Sequence, residues 1–477
     1  MKRTPVNIVG AGLAGPLLAI LLARRGFPVT VYERRGDPRR TAADAGRSIN
    51  LALAARGIRA LEHADLMDRV RPLMIPMRGR MVHEPERPPT LLPYGQREDE
   101  VIYSVGRAAL NRVLIDEAAR RPEIVLRFSA ACVAVSPAGD RLLLREAAHD
   151  EPPAPPDTSR ATIDGDGGGA AGARSRSSGA ASERQAPLGP TIAADGAGSA
   201  VRASLAAQGL IAWREEPLGH DYKELSIPPQ NGRHALDPNA LHVWPRRGFM
   251  LIALPNTDGS FTATLFLPRE GMESFAALNG SPAIHDFFAR EFPDALPLIP
   301  DLPRQFLEHP QGRLGTVHAS PWRAGGQVLL LGDAAHAIVP FHGQGMNAAF
   351  EDCRALDELI DRHESWESLF AAFEAERRPN AEAIARMAIE NYGEMREAVL
   401  DARFLRQKAW ALELERRFPG RFIPRYSMVM FHPEIPYAEA LRRGAVQQEI
   451  LDALDARAGG SDRLDLDLAR ELIEARL

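Results

Sequence analysis

Val6-Asn7-Ile8-Val9-Gly10-Ala11-Gly12-Leu13-Ala14-Gly15-Pro16-Leu17-Leu18-Ala19-Ile20-Leu21-Leu22-Ala23-Arg24, continued by Pro28-Val29-Thr30-Val31-Tyr32-Glu33, is the stretch on which the fold turns. Val6 to Val9 read as a buried strand, Leu13 to Arg24 as a helix and Pro28 to Glu33 as a second strand. Pro16 falls near the helix start, where a missing N–H costs little. Gly10, Gly12 and Gly15 stand between strand and helix in the spacing G-x-G-x-x-G. Glycines there let the backbone turn tightly and approach a pyrophosphate, and the helix N-terminus offers free N–H groups and a positive dipole end. Glu33, about 20 residues on at the end of the second strand, can accept hydrogen bonds from a ribose. A tight turn with no ligand is the bland alternative, and the complete strand–turn–helix–strand context argues against it. Alone, the unit says dinucleotide and does not choose between FAD and NAD. The uncharged run from Thr4 to Ala23 behind Lys2 and Arg3 imitates a signal peptide, but its glycines, its proline and the following strand favour a nucleotide-binding unit.

Outward from this unit, Ser48 to Arg71 show helical periodicity, with Leu51, Ile58, Leu61 and Leu66 on one side. Arg107 to Arg120 repeat it, and Ile124 to Phe128 read as a strand. From Ala147 to Pro190 the chain is rich in Gly, Ala, Ser, Pro and Arg, with almost no large apolar side chains. Such a stretch buries too little surface to offset its ordering entropy, so a disordered insertion is expected. Its Gly167, Gly169 and Gly172 match G-x-G-x-x-G letter for letter, but with no strand before and no amphipathic helix after them the match is compositional. Strand patterns follow at Ala240 to Trp244, Phe249 to Ala253 and Phe261 to Leu267. Gly326 to Leu331 return to a buried strand, Gly345 to His363 to a helix, and Trp366 to Leu477 are mostly helical.

Bulk properties narrow the classes of function. The chain has 477 residues, 45% hydrophobic and 25% charged, with a net charge of -5 and a pI near 6.3. That is ordinary soluble-protein composition with no electrostatic reason to bind nucleic acid. The two cysteines, Cys132 and Cys353, belong to no CxxC or ligand cluster, so reduced thiols and no metal are expected. Gln447 to Leu477 are interrupted throughout by Asp, Glu and Arg, so no membrane anchor is expected there and the chain reads as soluble and cytoplasmic.

Two further motifs choose the cofactor. Leu329-Leu330-Leu331-Gly332-Asp333-Ala334-Ala335-His336 is an apolar strand ending in Gly-Asp, followed by Pro340 to Asn347 and a helix. Ala194-Asp195-Gly196-Ala197-Gly198-Ser199-Ala200-Val201-Arg202 lies upstream of it. Each alone could be a turn. In this order, with the N-terminal unit, they resemble the three motifs of the single-component FAD-dependent aromatic hydroxylases. The resemblance implies FAD on Gly10, Gly12, Leu13, Ala14, Gly15, Glu33, Arg35, Ala52, Arg107, Asp333, Met346 and Asn347. It also implies NADPH, with NADH not excluded, as a co-substrate without a Rossmann unit of its own. The implied fold is α/β, α+β overall. A Rossmann-like FAD-binding domain (1–75, 102–146, 191–212, 312–375) is interleaved with a substrate-side β-sheet domain (76–101, 213–311). A disordered insertion (147–190) interrupts the first, and a C-terminal helical domain (376–477) contributes to the substrate pocket.

Gly46-Arg47-Ser48-Ile49-Asn50-Leu51-Ala52, Ile75-Pro76-Met77-Arg78-Gly79-Arg80-Met81, Pro93-Tyr94-Gly95, Ser104-Val105-Gly106-Arg107, Pro340-Phe341-His342-Gly343-Gln344-Gly345-Met346-Asn347, Asn391-Tyr392-Gly393-Glu394-Met395-Arg396, Tyr426-Ser427-Met428-Val429 and Ile435-Pro436-Tyr437-Ala438-Glu439-Ala440 are similar to blocks of one branch of that family, the kynurenine 3-monooxygenases. Gly106 stands where the pattern has Ser. The branch implies hydroxylation of L-kynurenine to 3-hydroxykynurenine with O2 through a flavin C4a-hydroperoxide, in tryptophan catabolism or NAD biosynthesis, by a monomer or homodimer. No side chain is then catalytic. Arg80, Tyr94, Asn391 and Tyr426 become the substrate set, with Phe341, His342, Gln344, Glu394 and Met395 beside them. The chemistry agrees, since a carboxylate suits a guanidinium fork and phenolic donors. Taken singly, Arg80 reads equally as a surface charge and Tyr94 as a strand aromatic. A hydroxylase of another aromatic acid, an anthranilate or a hydroxybenzoate, would use the same pair, and a non-catalytic flavin-binding redox sensor is the reading from a different class.

Overall fold

The computed structural model describes residues 3–40, 50–146, 182–396 and 401–477. The N-terminal unit forms as its pattern dictates: strand Val6–Val9, helix Ala14–Arg24 and strand Val29–Tyr32. The two strands belong to a six-stranded sheet. In space its order is Arg323–Ala324, Val328–Leu330, Thr191–Ala193, Val6–Val9, Val29–Tyr32 and Ile124–Arg127, parallel except at the first pair. Helices Ala14–Arg24, Arg107–Ala119 and Gly345–Leu359 pack against this sheet, and its central strands Val6–Val9, Thr191–Ala193 and Val328–Leu330 are buried throughout.

A seven-stranded sheet forms the second layer. Its order is Gln311–Ser320, Ala212–Ile227, Phe261–Pro268, Phe249–Pro255, Leu241–Arg246, Gly79–Val82 and Thr90–Pro93, antiparallel except where Leu241–Arg246 meets Gly79–Val82. One face packs Phe249, Leu251, Phe261 and Leu265 against helices Ser281–Glu291 and Leu302–Glu308. The other turns Met250, Ile252 and Phe266 toward the helix Trp366–Arg396 and the segment Ile338–Phe341. A separate antiparallel trio, Asn50–Leu53, Ile102–Gly106 and Ile75–Met77, joins the two layers. The C-terminal helices Ala402–Arg417, Tyr437–Ala458 and Leu466–Arg476 close around their own core of Trp410, Leu414, Phe422, Ile450 and Ile473.

Three expectations are corrected. The helical reading of Ser48 to Arg71 fails at its start: Asn50–Leu53 is a strand, and the helix begins at Ala55. Asn50 to Leu53 pair with Tyr103 to Gly106, and that ladder outweighs the local periodicity of Leu51. The insertion expected to Pro190 is ordered at its end, because Ser182–Pro187 pairs antiparallel with Arg141–Glu146. Residues 147–181, with the compositional glycine motif, lie outside the described residues, as do Gly46 to Ile49. The strand Gln311–Ser320, assigned to the FAD side from residue 312, belongs to the seven-stranded sheet through its pairing with Ala212–Ile227. Among the described residues no helix is long and apolar enough to cross a membrane, and both cysteines are free thiols.

Candidate functional site

One continuous cavity of about 1050 Å³ runs from the N-terminal unit to the inner face of the large sheet. That volume is at the upper end for single small-molecule sites, with room for more than one ligand. At the first end it is lined by Gly10, Gly12, Leu13, Ala14, Glu33, Arg35, Ala52, Arg107, Asp333 and Met346, ten of the expected cofactor residues. Gly10 has φ +104°, and a Cβ there would lie 2.4 Å from the Ala194 carbonyl oxygen. A Cβ on Gly15 would meet the Gly10 carbonyl oxygen at 1.9 Å, so this glycine serves the close crossing of helix and strand rather than the cavity wall. A Cβ on Gly12 would meet nothing within 4 Å. Strand, helix and the cavity side therefore each explain one glycine. Glu33 Oε2 accepts the Ala11 N–H at 2.8 Å and Oε1 the Arg35 N–H at 2.9 Å, which fixes the carboxylate on the cavity rim. Asp333, exposed into the cavity, starts a short helical turn directly after the strand Val328–Leu330, and the helix Gly345–Leu359 begins at the same wall. Gly106 caps the helix Arg107–Ala119 without a side-chain bond, the contact a serine would have supplied.

Asn111, which sequence reasoning left aside, and residues of the two later motifs brace this end. Asn111 donates to the carbonyls of Ala11 (3.0 Å) and Gly12 (2.8 Å). Arg202 Nη1 donates to the Ala334 carbonyl at 2.8 Å and Nη2 to Ala197, tying the Asp-Gly motif to the Gly-Asp motif. Asp195 accepts the Ala200 N–H at 2.8 Å through Oδ2, while its buried Oδ1 has no partner among the described residues. His336 is held by Asp352 at 2.6 Å and stacks on Trp322, so it is a core residue and no general base. Burial opposes ionisation of Asp352, but His336 and Arg377 hold its carboxyl down at about 2. Asn111 has no motif signature, since its partners lie about 100 residues away in sequence.

At the far end the polar groups are few and converge. Arg80, 6% exposed, comes from the strand Gly79–Val82. Its Nη2 donates to Asn391 Oδ1 at 3.2 Å, its Nε has no partner, and no carboxylate pairs with it among the described residues. Its guanidinium lies 5.1 Å from the ring centre of Tyr426 and 5.9 Å from that of Tyr94. The two tyrosine rings stack at 5.4 Å, and His342 stacks on the other side of Tyr426 at 5.3 Å. Burial opposes the charge on Arg80, but Tyr426, Tyr94 and Glu394 around it raise its hold on the proton. Burial pushes the Tyr94 hydroxyl well above its ordinary value, so it remains a donor, and pushes His342 down to about 3, so its ring is neutral. Among the described residues this buried cation is flanked by neutral donors and has no counter-ion of its own.

Arg80, Tyr94, Phe341, His342, Met395 and Tyr426 all line the cavity. Four other predicted contacts do not. Asn391 is spent bridging Arg80 to the Phe341 carbonyl, to which its Nδ2 donates at 2.7 Å. Gln344 accepts from the Tyr437 hydroxyl at 2.7 Å and donates to Met430 Sδ. Glu394 pairs with Arg425. Asn347 accepts the Ala54 N–H and donates to the carbonyls of Ala52 and Gly343, which uses both of its amide hydrogens. The side chains of all four bond to neighbouring residues and so position them. Between the ends, Leu241, Met250, Ile252, Leu254, Phe266 and Leu314 give an apolar wall from alternate positions of the large sheet, which no motif announced.

The family described as FAD binding domain matches residues 3–388. A kynurenine 3-monooxygenase of Xanthomonas campestris pv. campestris (strain 8004) is 46% identical over 475 residues, covering 99% of this chain and 96% of its own. One from Xanthomonas axonopodis pv. citri (strain 306) is 47% identical over 480 residues, covering 100% and 98%. Among solved structures, the tetrameric form of 2-methyl-3-hydroxypyridine-5-carboxylic acid oxygenase superposes with a TM-score of 0.61 at 18% identity, over 93% of this chain and 98% of its own, a likeness of fold.

Proposed function

From the premise that this chain belongs to the kynurenine 3-monooxygenase family of FAD-dependent aromatic hydroxylases, we infer that it hydroxylates L-kynurenine at the ring carbon beside the amino group, using NADPH and O2. FAD, when bound, supplies the redox and oxygen-transfer chemistry. The residues present fit it: an open face at Gly12, a carboxylate at Glu33 for the ribose, and Asp333 for the ribityl hydroxyls. The start of the helix Gly345–Leu359 presents N–H groups and a positive dipole end where negative charge on the reduced ring would need them.

Arg80 takes the substrate carboxylate, with Tyr94 and Tyr426 as phenolic donors around it. Asn391 holds Arg80 in register and carries that register to Phe341. The aromatic ring lies along Leu241, Met250, Ile252 and Leu314, with Phe341 and Met395 excluding water from the reacting carbon. Since the substrate's own amino group activates the position attacked, the protein's part is orientation, and no side chain is needed as acid or base. Tyr426 and Met430 reach the cavity from the C-terminal helices, which close it over the ligand.

The observation that carries the reading is the buried, counter-ion-free Arg80 at the end of a cavity that starts at a dinucleotide cradle. The test is NADPH oxidation by FAD-loaded protein with and without L-kynurenine, with the product identified by mass and retention time. Stimulated oxidation yielding 3-hydroxykynurenine supports it. Stimulation only by an anthranilate or a hydroxybenzoate would transfer the activity to that acid, and no stimulation by any of them would overturn the catalytic reading.

A further inference from the structure

Outside the cavity, one cluster brings ligand-type side chains together from three separate elements. Glu100 lies in the loop after Tyr94, Glu415 near the end of the helix Ala402–Arg417, and His432 just past the helix Arg425–Phe431 that carries Tyr426. One carboxylate oxygen of each glutamate and a ring nitrogen of His432 all lie within 4.8 Å of one another. Both glutamates are buried, 4% and 6% exposed. Glu100 accepts the N–H groups of Gln96 (2.6 Å) and Arg97 (2.9 Å) and the Arg97 guanidinium. Glu415 accepts the Gln96 side-chain amide at 3.1 Å and stands 4.0 Å from the same guanidinium. Two buried carboxylates thus share one arginine that is itself half exposed.

His432 supplies the independent observation. Its Nδ1 lies 2.8 Å from Glu434 Oε1, and a carboxylate there accepts the Nδ1–H. The lone pair is then on Nε2, which is buried and has no hydrogen-bond partner among the described residues. A buried acceptor left without a donor is costly. A carboxylate behind the opposite nitrogen is the arrangement that orients a metal-ligating histidine.

We propose that Glu100, Glu415 and Nε2 of His432 form a binding site for a divalent transition-metal ion of the zinc class, with Glu434 as the orienting carboxylate. Two carboxylates and one imidazole suit zinc, with water in the fourth position, better than magnesium or calcium, which prefer all-oxygen sets. Tetrahedral ligands at about 2.1 Å stand roughly 3.4 Å from one another, so side-chain rotation with Arg97 swinging to solvent completes the site. Bound metal would pin the loop after Tyr94 to the helix Ala402–Arg417 and to the end of the helix that carries Tyr426, joining the two halves of the carboxylate pocket from outside.

The test is a Zn2+ titration by calorimetry, with metal analysis after dialysis, on FAD-loaded protein freed of metal with a chelator. Wild type is expected to bind one ion per chain and to gain thermal stability with it. His432→Ala is expected to abolish both effects. Glu434→Gln, at a position exposed enough to leave folding intact, is expected to weaken binding at least about tenfold. Arg97→Ala is expected to tighten it. Equal binding by wild type, His432→Ala and Glu434→Gln would mark adventitious surface ions and overturn the site, as would no binding by wild type. None of these readings depends on turnover, so the site can fail while the hydroxylase reading stands, and the reverse.

Discussion

Replacing Arg80 with methionine removes the guanidinium and keeps most of the side chain's volume. Among the described residues, the guanidinium donates to Asn391, while its Nε has no partner and no carboxylate pairs with it. Apolar replacement of a buried charge is often neutral or stabilising by about 1–4 kcal/mol, and the lost bond to Asn391 offsets about 1 kcal/mol of that. Arg80→Met should therefore fold, retain FAD and melt within a few degrees of wild type or above it. For the substrate the balance reverses, because its carboxylate would enter a buried pocket with no cation. Truncating one partner of such a pair costs about 2–5 kcal/mol, or about 30- to 5000-fold in kcat/KM. The carboxylate is bound alike in ground and transition states, so the loss should appear in KM, with kcat at saturation retained within a few-fold. The assay is L-kynurenine-dependent NADPH oxidation over a wide substrate range, beside melting curves and flavin content. An unchanged KM would refute the assignment of Arg80 to the carboxylate, and loss of folding or flavin would show that its charge serves the chain instead.

Gly12→Ala should melt like wild type without cofactor yet retain FAD at least tenfold less tightly, since the added methyl meets no protein atom but occupies the phosphate approach; Gly10→Ala, blocked by the Ala194 carbonyl and by φ +104°, should lose stability as well. Melting temperatures and flavin retention on dilution separate the two. His342 is neutral in the fold with a pKa of about 3 against an ordinary 6.5, so the unfolded chain takes up the extra proton between those values. Its share of stability is therefore full above pH 6.5 and falls by roughly 1.4 kcal/mol per unit as pH drops toward 3. His342→Phe should accordingly lose less melting temperature than wild type between pH 7.5 and 5, and equal slopes would contradict the assigned burial. Because Glu146 and Ser182 are paired neighbours, replacing residues 148–180 with a short turn should leave flavin content and stimulated oxidation intact. A fall in either would give the insertion a role.

While the cofactor class came from the resemblance of three motifs, in their order, to the aromatic hydroxylases, local patterns determined by themselves the nucleotide-binding unit and the alternating sheet strands. Each depends on backbone geometry over a few neighbouring residues: glycine spacing, a strand of period two, an apolar run before Gly-Asp. The same locality explains the misreadings. Asn50 to Leu53 look helical until Tyr103 to Gly106 pair with them. The strand Ala212–Ile227 is exposed along its first half, so no run of apolar residues announced its length. Family pattern named Gln344 and Asn347 for the site, and only the packing shows their amides bonded to Tyr437, Met430, Ala52, Gly343 and Ala54. Only the tertiary structure could decide that Arg80 is buried without a counter-ion, that Tyr94 and Tyr426 stack beside it, and that Asn391 holds it. Those four residues come from an inner strand of the large sheet, a loop and two distant helices. Burial, and with it the strength of a charge and the protonation state of a phenol or an imidazole, depends on what packs around a group, and packing is settled by chain segments hundreds of residues apart.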